Sequence, residues 1–214
     1  MKFIHTYKSP NFNNRKKKGK INYIIIHYTA LKDDLEALKH LTDKKNKVSS
    51  HFFINKKGRI YNLVSLDKRA WHAGKSFWKG LKDLNSESIG IELDNNGSEN
   101  FKATQVNSLI KLIRYVSKKY SINQNSILGH SDISPYRKID PGKKFPWIQI
   151  QKKGLVFLPK KNNKKIIMEL KKKLKFKNNS NKQILYFLSK IGYDVRMAKK
   201  SQKYFKILIK AYQM

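Results

Sequence analysis

The sequence predicts an α/β fold, in which buried strands alternate with amphipathic helices. Residues 21–30, INYIIIHYTA, contain a continuous apolar, β-branched run, which is typical of a strand covered by helices on both faces. Apolar side chains then recur at helical spacing at positions 106, 109, 110, 113 and 116. The chain has 214 residues, of which 39% are hydrophobic, so it can bury a core. Strands interleaved with helices indicate the α/β class.

The remaining elements of the first 130 residues follow from spacing and turn signals. Leucines at 31, 35, 38 and 41 predict a helix, with Asp33 and Asp34 in its first turn. Residues 48–54 and 59–64, separated by a turn at Lys57-Gly58, predict a hairpin. Two further short strands are predicted, one over residues 88–93 and the last over residues 126–130.

The C-terminal part of the chain has a different composition. Residues 131–159 hold four of the five prolines and predict irregular structure, and KKNNKK at 160–165 predicts a linker. Helical patterns follow over 164–176, 181–192 and 200–212, with Gly192 as the cap of the second. We therefore expect a basic N-terminal segment (1–20), a main domain (21–159) and a small basic helical appendage (160–214).

The charge is strongly unbalanced, with 48 Lys and Arg against 14 Asp and Glu, a formal net charge of +34. Such a field attracts polyanions, and nucleic-acid binding is one hypothesis that it raises. Only six of the basic residues are Arg, whereas a base-reading surface favours the bidentate guanidinium. Compositional drift or general polyanion affinity is therefore preferred over a dedicated nucleic-acid site.

The absence of cysteine and of long apolar runs excludes several further classes of protein and of functional site. The chain has no cysteine, which excludes disulfide frameworks, Cys-zinc sites and thiol nucleophiles. No apolar run approaches the ~18 residues of a transmembrane helix. The first twenty residues contain no apolar signal-peptide core, which predicts a cytoplasmic protein.

Three ionisable residues are predicted at the positions where α/β sheets bind ligands. His27 and His130 each end a predicted strand, and Asp140 follows in a DPG loop. Two imidazoles and one carboxylate suffice to hold zinc and leave a fourth position open, although a strand-end histidine is also commonly structural. Glu92 ends an apolar strand, a setting that raises a carboxyl pKa and suits a proton shuttle. Lys138 would supply a cation near developing negative charge.

Five segments, in order, carry a family resemblance. They are IIIHYTA, VSSHFFINKKGRIY, RAWHAGKS, SIGIELDNNG and GHSDISPYRKIDPGKKFPW, which together cover about residues 20–150. This set resembles the zinc-dependent N-acetylmuramoyl-L-alanine amidases of type 2, whose superfamily includes the peptidoglycan recognition proteins. The last segment is most similar to the 1,6-anhydro-N-acetylmuramyl-L-alanine amidases of Gram-negative bacteria. The resemblance implies a mixed central β-sheet flanked by helices.

The resemblance also implies a reaction and a set of roles. His27, His130 and Asp140 match the Zn²⁺ ligands, Glu92 the catalytic glutamate and Lys138 the lysine beside the oxyanion. The implied reaction is hydrolysis of the amide bond between (anhydro-)N-acetylmuramic acid and L-alanine, in which zinc polarises the carbonyl and acidifies a water. All five residue types are present, which counts against a non-catalytic peptidoglycan-binding protein. That class and a polyanion- or nucleic-acid-binding protein remain the alternatives.

Substrate contacts and location are further expectations. Tyr28, Trp71 and His72 are candidate substrate-binding residues, whereas His51 is expected in the core or behind a ligand. Peptidoglycan fragments or the sacculus are the expected partners. LSKIGYDV at 188–195 is similar to a small peptidoglycan-binding module, so the appendage either binds glycan or covers apolar surface of the main domain. A periplasmic or envelope location is the alternative to the cytoplasm.

Overall fold

A five-stranded mixed sheet forms the centre of the fold. The structure is a computed structural model that describes residues 1–16, 20–158 and 180–214. Its strands are β1 (Phe12–Asn14), β2 (Tyr23–Tyr28), β3 (Phe52–Ile54), β4 (Ile60–Asn62), β5 (Lys68–Ala70), β6 (Ser88–Leu93) and β7 (Ile127–Gly129). Its helices are α1 (Asp34–Thr42), α2 (Leu84–Glu87), α3 (Ala103–Tyr120), α4 (His130–Ile133), α5 (Trp147–Gln151), α6 (Ser180–Ile191) and α7 (Gln202–Tyr212).

The strand order of the central sheet is β4-β3-β6-β2-β7. β2 is parallel to both β6 and β7, β3 is parallel to β6, and β4 is antiparallel to β3. The predicted mixed α/β sheet is therefore confirmed. Because β2 and β6 have neighbours on both edges and helices on both faces, every residue of β6 is buried, and Ile24, Ile25 and Ile26 of β2 are fully buried.

Two apolar layers cover the sheet. On one face, Ile24 and Ile26 pack with the buried side of α3, including Leu109 and Ile113. On the other face, Ile25 packs with residues of α6, α7 and the turn between them; these are Leu185, Leu188, Tyr193, Val195, Ala198, Phe205 and Leu208. The helices of 180–214 therefore cover the second face of the sheet.

Most predicted elements agree with the structure, and the differences have local causes. The predicted hairpin is formed by β3 and β4. The first helix begins at Asp34 because the Asp33 side chain accepts a hydrogen bond from the Glu36 N–H, so Leu31 precedes it, and Leu35 is 49% exposed. His130 does not end a strand: it is the first residue of α4, where the Asp132 carboxylate accepts a hydrogen bond from the Gly129 N–H.

The N-terminal segment is part of the fold, which its composition did not predict. β1 pairs antiparallel with β5 in a separate two-stranded sheet, and Ile4 forms a bridge with Tyr61. The Arg15 guanidinium donates hydrogen bonds to the backbone carbonyls of four residues, Leu66, Asn85, Ser86 and Ser88. Burial lowers the pKa of Arg15 to about 10.

The C-terminal elements follow two of the three predicted helical patterns. α6 and α7 lie at the predicted 181–192 and 200–212, and Gly192 follows α6 with a φ of +140°. The predicted linker at 160–165 and helix at 164–176 lie outside the described residues. Within the described part of the chain, no helix is both long enough and apolar enough to cross a membrane.

Candidate active site

Three side chains converge at the carboxyl end of β2. The His27 Nδ1 lies 3.0 Å from the His130 Nδ1 and 3.1 Å from the Asp140 Oδ2, and the His130 Nδ1 lies 3.0 Å from the same carboxylate oxygen. All three residues are buried. Tetrahedral zinc with ligands at about 2.0–2.1 Å separates its ligand atoms by about 3.3 Å. The three atoms therefore match three corners of a zinc site.

The outer contacts of His130 and His72 define the tautomers. In its neutral form His130 donates from Nε2 to the Ala73 carbonyl at 3.1 Å and has Nδ1 as an acceptor. Burial, together with the neighbouring imidazoles, keeps the pKa of His72 well below its usual range, so His72 is neutral. The Ser88 hydroxyl donates to the Leu84 carbonyl and accepts from the His72 Nε2 at 3.3 Å.

The His72 Nδ1 is consequently an acceptor, and it receives the hydrogen bond of the His27 Nε2 at 3.0 Å. The His27 Nδ1 is then an acceptor as well. In these neutral tautomers the Nδ1 atoms of His27 and His130 and the Asp140 carboxylate oxygen are three converging acceptors, an arrangement that a cation would stabilise.

The protonation states of His27 and Asp140 are the ones that metal binding requires. Burial, reinforced by the neighbouring His130, lowers the pKa of His27 to about 4. For Asp140, burial acts to raise the pKa, but the contacts with His130 and His27 outweigh it and hold the pKa well below its usual range. Neutral imidazoles and an ionised carboxylate are the states in which these side chains ligate a metal.

Glu92 lies beside this centre on the neighbouring strand. In the register of β2 with β6, His27 is paired with Glu92, and both side chains project on the face opposite α3. Glu92 is 8% exposed, and its Oε2 has no hydrogen-bond partner among the described residues. Burial, assisted by the charge of Asp140 and opposed by that of Lys138, raises its pKa to about 8. A carboxyl group with this pKa can both accept and return a proton near neutral pH.

A cavity of about 280 Å³ opens over the centre. Its lining includes predicted site residues together with residues that the sequence did not indicate; the full set is Tyr28, Thr29, Ala30, Leu31, His40, Leu41, Val48, His72, Glu92, His130, Arg137, Lys138, Ile139 and Asp140. Arg137 stands next to Lys138 within the segment GHSDISPYRKIDPGKKFPW, and that position is the signal that could have identified it.

Of the predicted substrate-binding residues Trp71 and His72, only His72 belongs to the cavity lining. His72 is 5% exposed and contacts the imidazole of His27 at the back of the centre. Trp71 is not part of the cavity lining, because its indole N–H donates to the Asn13 side chain on β1. His51 is fully buried, as expected, and its Nδ1 accepts a hydrogen bond from the Gly90 N–H.

Comparisons with known proteins place this site in context. A protein-family model described as N-acetylmuramoyl-L-alanine amidase matches residues 17–143. The N-acetylmuramoyl-L-alanine amidase AmiD of Escherichia coli is 36% identical over 194 residues, which cover 83% of this chain and 68% of AmiD. A solved complex of the E. coli enzyme with the substrate anhydro-N-acetylmuramic acid-L-Ala-D-gamma-Glu-L-Lys has a TM-score of 0.71 at 33% identity, covering 86% of this chain and 76% of the other.

A second solved structure matches almost the whole chain. AmpDh3 from Pseudomonas aeruginosa in complex with anhydromuramic pentapeptide has a TM-score of 0.78 at 28% identity, covering 98% of this chain and 89% of the other. The similarity thus extends beyond the central sheet.

Proposed function

We propose, from the premise that the chain belongs to the N-acetylmuramoyl-L-alanine amidase family, that it hydrolyses the amide bond between (anhydro-)N-acetylmuramic acid and L-alanine. The convergence of His27, His130 and Asp140 beside the buried Glu92, at the base of an open cavity, carries this conclusion. Family membership supplies the substrate class, since the matching family model and E. coli AmiD both carry that activity in their names.

Zinc is the metal that the donor set suits best. Two imidazole nitrogens and one carboxylate oxygen form a typical catalytic zinc set, and two of the three residues, His130 and Asp140, also line the cavity. Bound zinc supplies Lewis-acid polarisation of the amide carbonyl and a lowered pKa for water. The outer contacts of His130 with Ala73 and of His27 with His72 hold the ligand nitrogens toward the centre. His72 is therefore proposed to position His27, besides contributing to the cavity wall.

Glu92 is the proposed general base and acid. Its carboxylate accepts a proton from the attacking water and returns one to the alanine nitrogen, which then leaves as an amine. The raised pKa of about 8 makes Glu92 a stronger base than an exposed carboxylate and allows it to hold the proton between the two steps.

Lys138 and Tyr28 are proposed to contact substrate from the cavity wall. The Lys138 ammonium stabilises the negative charge that develops on the carbonyl oxygen. Tyr28 extends from the end of β2 between Gly97 and Gly142, at which an added Cβ would come within 3.2 and 3.3 Å of the Tyr28 ring. Both glycines have positive φ, so this close approach uses backbone that other residues rarely adopt.

The proposed substrates are anhydro-muropeptides and related peptidoglycan fragments. The two solved complexes that match this chain hold an anhydromuramic peptide, which supports this class. The division into a catalytic domain at 21–159 and an appendage at 160–214, and glycan binding by that appendage, stay predictions. Location in the cytoplasm or the envelope stays a prediction as well.

Mass spectrometry of a purified anhydro-muropeptide incubated with the protein tests the function. We expect release of free peptide and anhydro sugar, loss of release with excess chelator, and restoration by added zinc. His130→Ala serves as the inactive control, because it removes a proposed ligand. A folded, zinc-loaded protein that leaves both this substrate and intact sacculi uncleaved would contradict the proposal.

A further inference from the structure

A buried hydrogen bond links the metal-ligand loop to the C-terminal helices. The loop is residues 130–140, which begins with His130 and ends with Asp140. The Tyr193 hydroxyl donates to the Asp132 Oδ1, and the other carboxylate oxygen accepts from the Gly129 N–H at 2.7 Å. Asp132 thus connects Tyr193, which follows α6, to the Leu128–Gly129 peptide, one residue before His130.

Packing holds Tyr193 at this position. Tyr193 is 5% exposed, and its ring meets the edge of Trp78 with centroids 5.0 Å apart. The preceding Gly192 accepts a hydrogen bond from the Lys79 N–H at 2.9 Å, and a Cβ on Gly192 would come within 2.9 Å of the Trp78 ring. The position of the phenol is therefore set by the sheet domain as well as by α6.

A second phenol makes the reverse connection. The Tyr136 hydroxyl, on the loop itself, donates to the Asp194 carbonyl at 2.6 Å and accepts from the Ala198 N–H at 3.3 Å. Ile133 of α4 packs in the same apolar cluster as Leu208 of α7. The loop is consequently fastened to residues 192–198 from both sides.

The loop transmits this restraint to the ligands through its backbone. The Ser131 N–H donates to the Asp140 carbonyl at 2.8 Å, so the start of α4 holds both ends of the loop together. The His130 Nδ1 and the Asp140 Oδ2 are 3.0 Å apart across that junction. A shift of Asp132 would move the Leu128–Gly129 peptide, one residue before His130, and hence one ligand relative to the other.

We propose that Tyr193 is a positioning residue of the metal centre, acting through Asp132 on His130. The C-terminal region then supports catalysis indirectly, by holding a metal ligand in place, whether or not it also binds glycan. This inference rests on the proposed function, because its readouts are zinc affinity and amide hydrolysis.

Tyr193→Phe tests the inference, because it keeps the ring and removes only the hydroxyl. We expect the zinc dissociation constant, measured by chelator competition, to rise about tenfold, the lower end of the range for a lost outer partner of a ligand. We expect kcat on the anhydro-muropeptide to fall and KM to change little. If the role of Tyr193 were merely structural, Tyr193→Phe would lower the melting temperature. Zinc affinity and kcat, measured at temperatures well below the melting temperature, would then stay unchanged.

Asp132→Asn supplies a second variant of the same shape, whose amide cannot satisfy both the Gly129 N–H and the Tyr193 hydroxyl as the carboxylate does. The double variant should be no worse than the poorer single variant, because both changes break one connection. Asp132→Asn also carries the test if Tyr193→Phe fails to fold.

Tyr212→Phe is the matched control, since Tyr212 contacts the Tyr193 ring from α7 and is 40% exposed. It should retain wild-type zinc affinity. If the wild-type protein neither binds zinc nor cleaves substrate, the proposed function fails. If the wild-type protein does both, and Tyr193→Phe and Asp132→Asn match it in zinc affinity and kcat, only the positioning role is overturned.

Discussion

Replacing Glu92 by glutamine should stabilise the metal-free protein while removing most of its turnover. In the folded chain, burial raises the pKa of Glu92 from its ordinary value of 4.5 to about 8. Between these two values the unfolded chain has an ionised Glu92 and the folded chain a protonated one. Folding therefore takes up a proton, and the free energy of unfolding falls as the pH rises from about 4.5 to about 8.

The size of the effect follows from the shift. One pKa unit corresponds to about 1.4 kcal/mol. The raised pKa of Glu92 therefore lowers the free energy of unfolding by an amount on the order of 3 kcal/mol at pH 7 and by about 5 kcal/mol well above pH 8, and this loss is the penalty for burying the carboxylate. Glutamine has nearly the same shape and carries no charge, so Glu92→Gln removes the pH-dependent part of this penalty. Zinc would reduce the penalty in the wild-type protein, because a cation beside Glu92 favours the ionised carboxylate.

Chemical denaturation in the presence of chelator measures this difference. The free energies of unfolding of wild type and Glu92→Gln should lie within about 1 kcal/mol at pH 5 and separate by roughly 3 kcal/mol or more at pH 8. Glu36→Gln, at an exposed carboxylate in the first turn of α1, is the control and should stay within about 0.5 kcal/mol of wild type at both pH values. The reasoning is refuted if the wild-type and Glu92→Gln values run parallel between pH 5 and pH 8.

The same variant should keep its zinc and lose about 10²–10⁴ in kcat, the usual contribution of a general base. An active Glu92→Gln protein would contradict the assigned role. If stability rises and turnover falls together, Glu92 is a residue whose function costs the fold stability.

Three further predictions concern the site and its support. Lys138→Ala should retain zinc and lose about 10²–10³ in kcat, whereas His130→Ala should lose both; full activity of the lysine variant in a muropeptide assay would exclude its role. Gly90→Ala should raise the zinc dissociation constant about tenfold, because the new Cβ would lie 2.3 Å from the His72 ring and displace His72 from the His27 Nε2. An unchanged dissociation constant in chelator competition would show that the contact between His72 and His27 is unimportant for zinc binding. Arg15→Ala should lower the free energy of unfolding by roughly 3 kcal/mol or more, because four backbone carbonyls lose their hydrogen-bond donor. If chemical denaturation shows that the free energy of unfolding falls by less than about 1 kcal/mol, this account is contradicted.

The strands of the central sheet could be predicted because burial leaves a signal in sequence. β2 and β6 are covered on both faces, so their residues form continuous apolar runs that stop at the polar groups of the site. Parallel strands align their carboxyl ends, and this alignment made the ends of the runs the places to look for ligands. The roles of Glu92 and Lys138 needed the family resemblance as well, since spacing alone gives no local signature.

The parts that escaped prediction are held by contacts between distant residues. β1 and β5 are short and polar, with sequences FNN and KRA, and their pairing is supported by side chains such as Asn13 with Arg69 and Trp71. Tyr193 and Asp132 are 61 residues apart, and neither has a neighbourhood that indicates the other. The placement of Trp71 outside the cavity has the same origin, because a strand absent from the prediction holds its indole.

The pairing of His27 with Glu92 in the register of β2 and β6 has a consequence for changes in chain length. Main-chain pairing sets the spacing of these two groups, so an insertion or deletion of one residue within either strand would turn one of them to the opposite face of the sheet. The loop that follows β2 lines the cavity with Thr29, Ala30 and Leu31, and its length is not set by the pairing of the two strands. A change in the length or composition of the loop after β2 can therefore alter the cavity while main-chain pairing keeps His27 and Glu92 on the same face of the sheet.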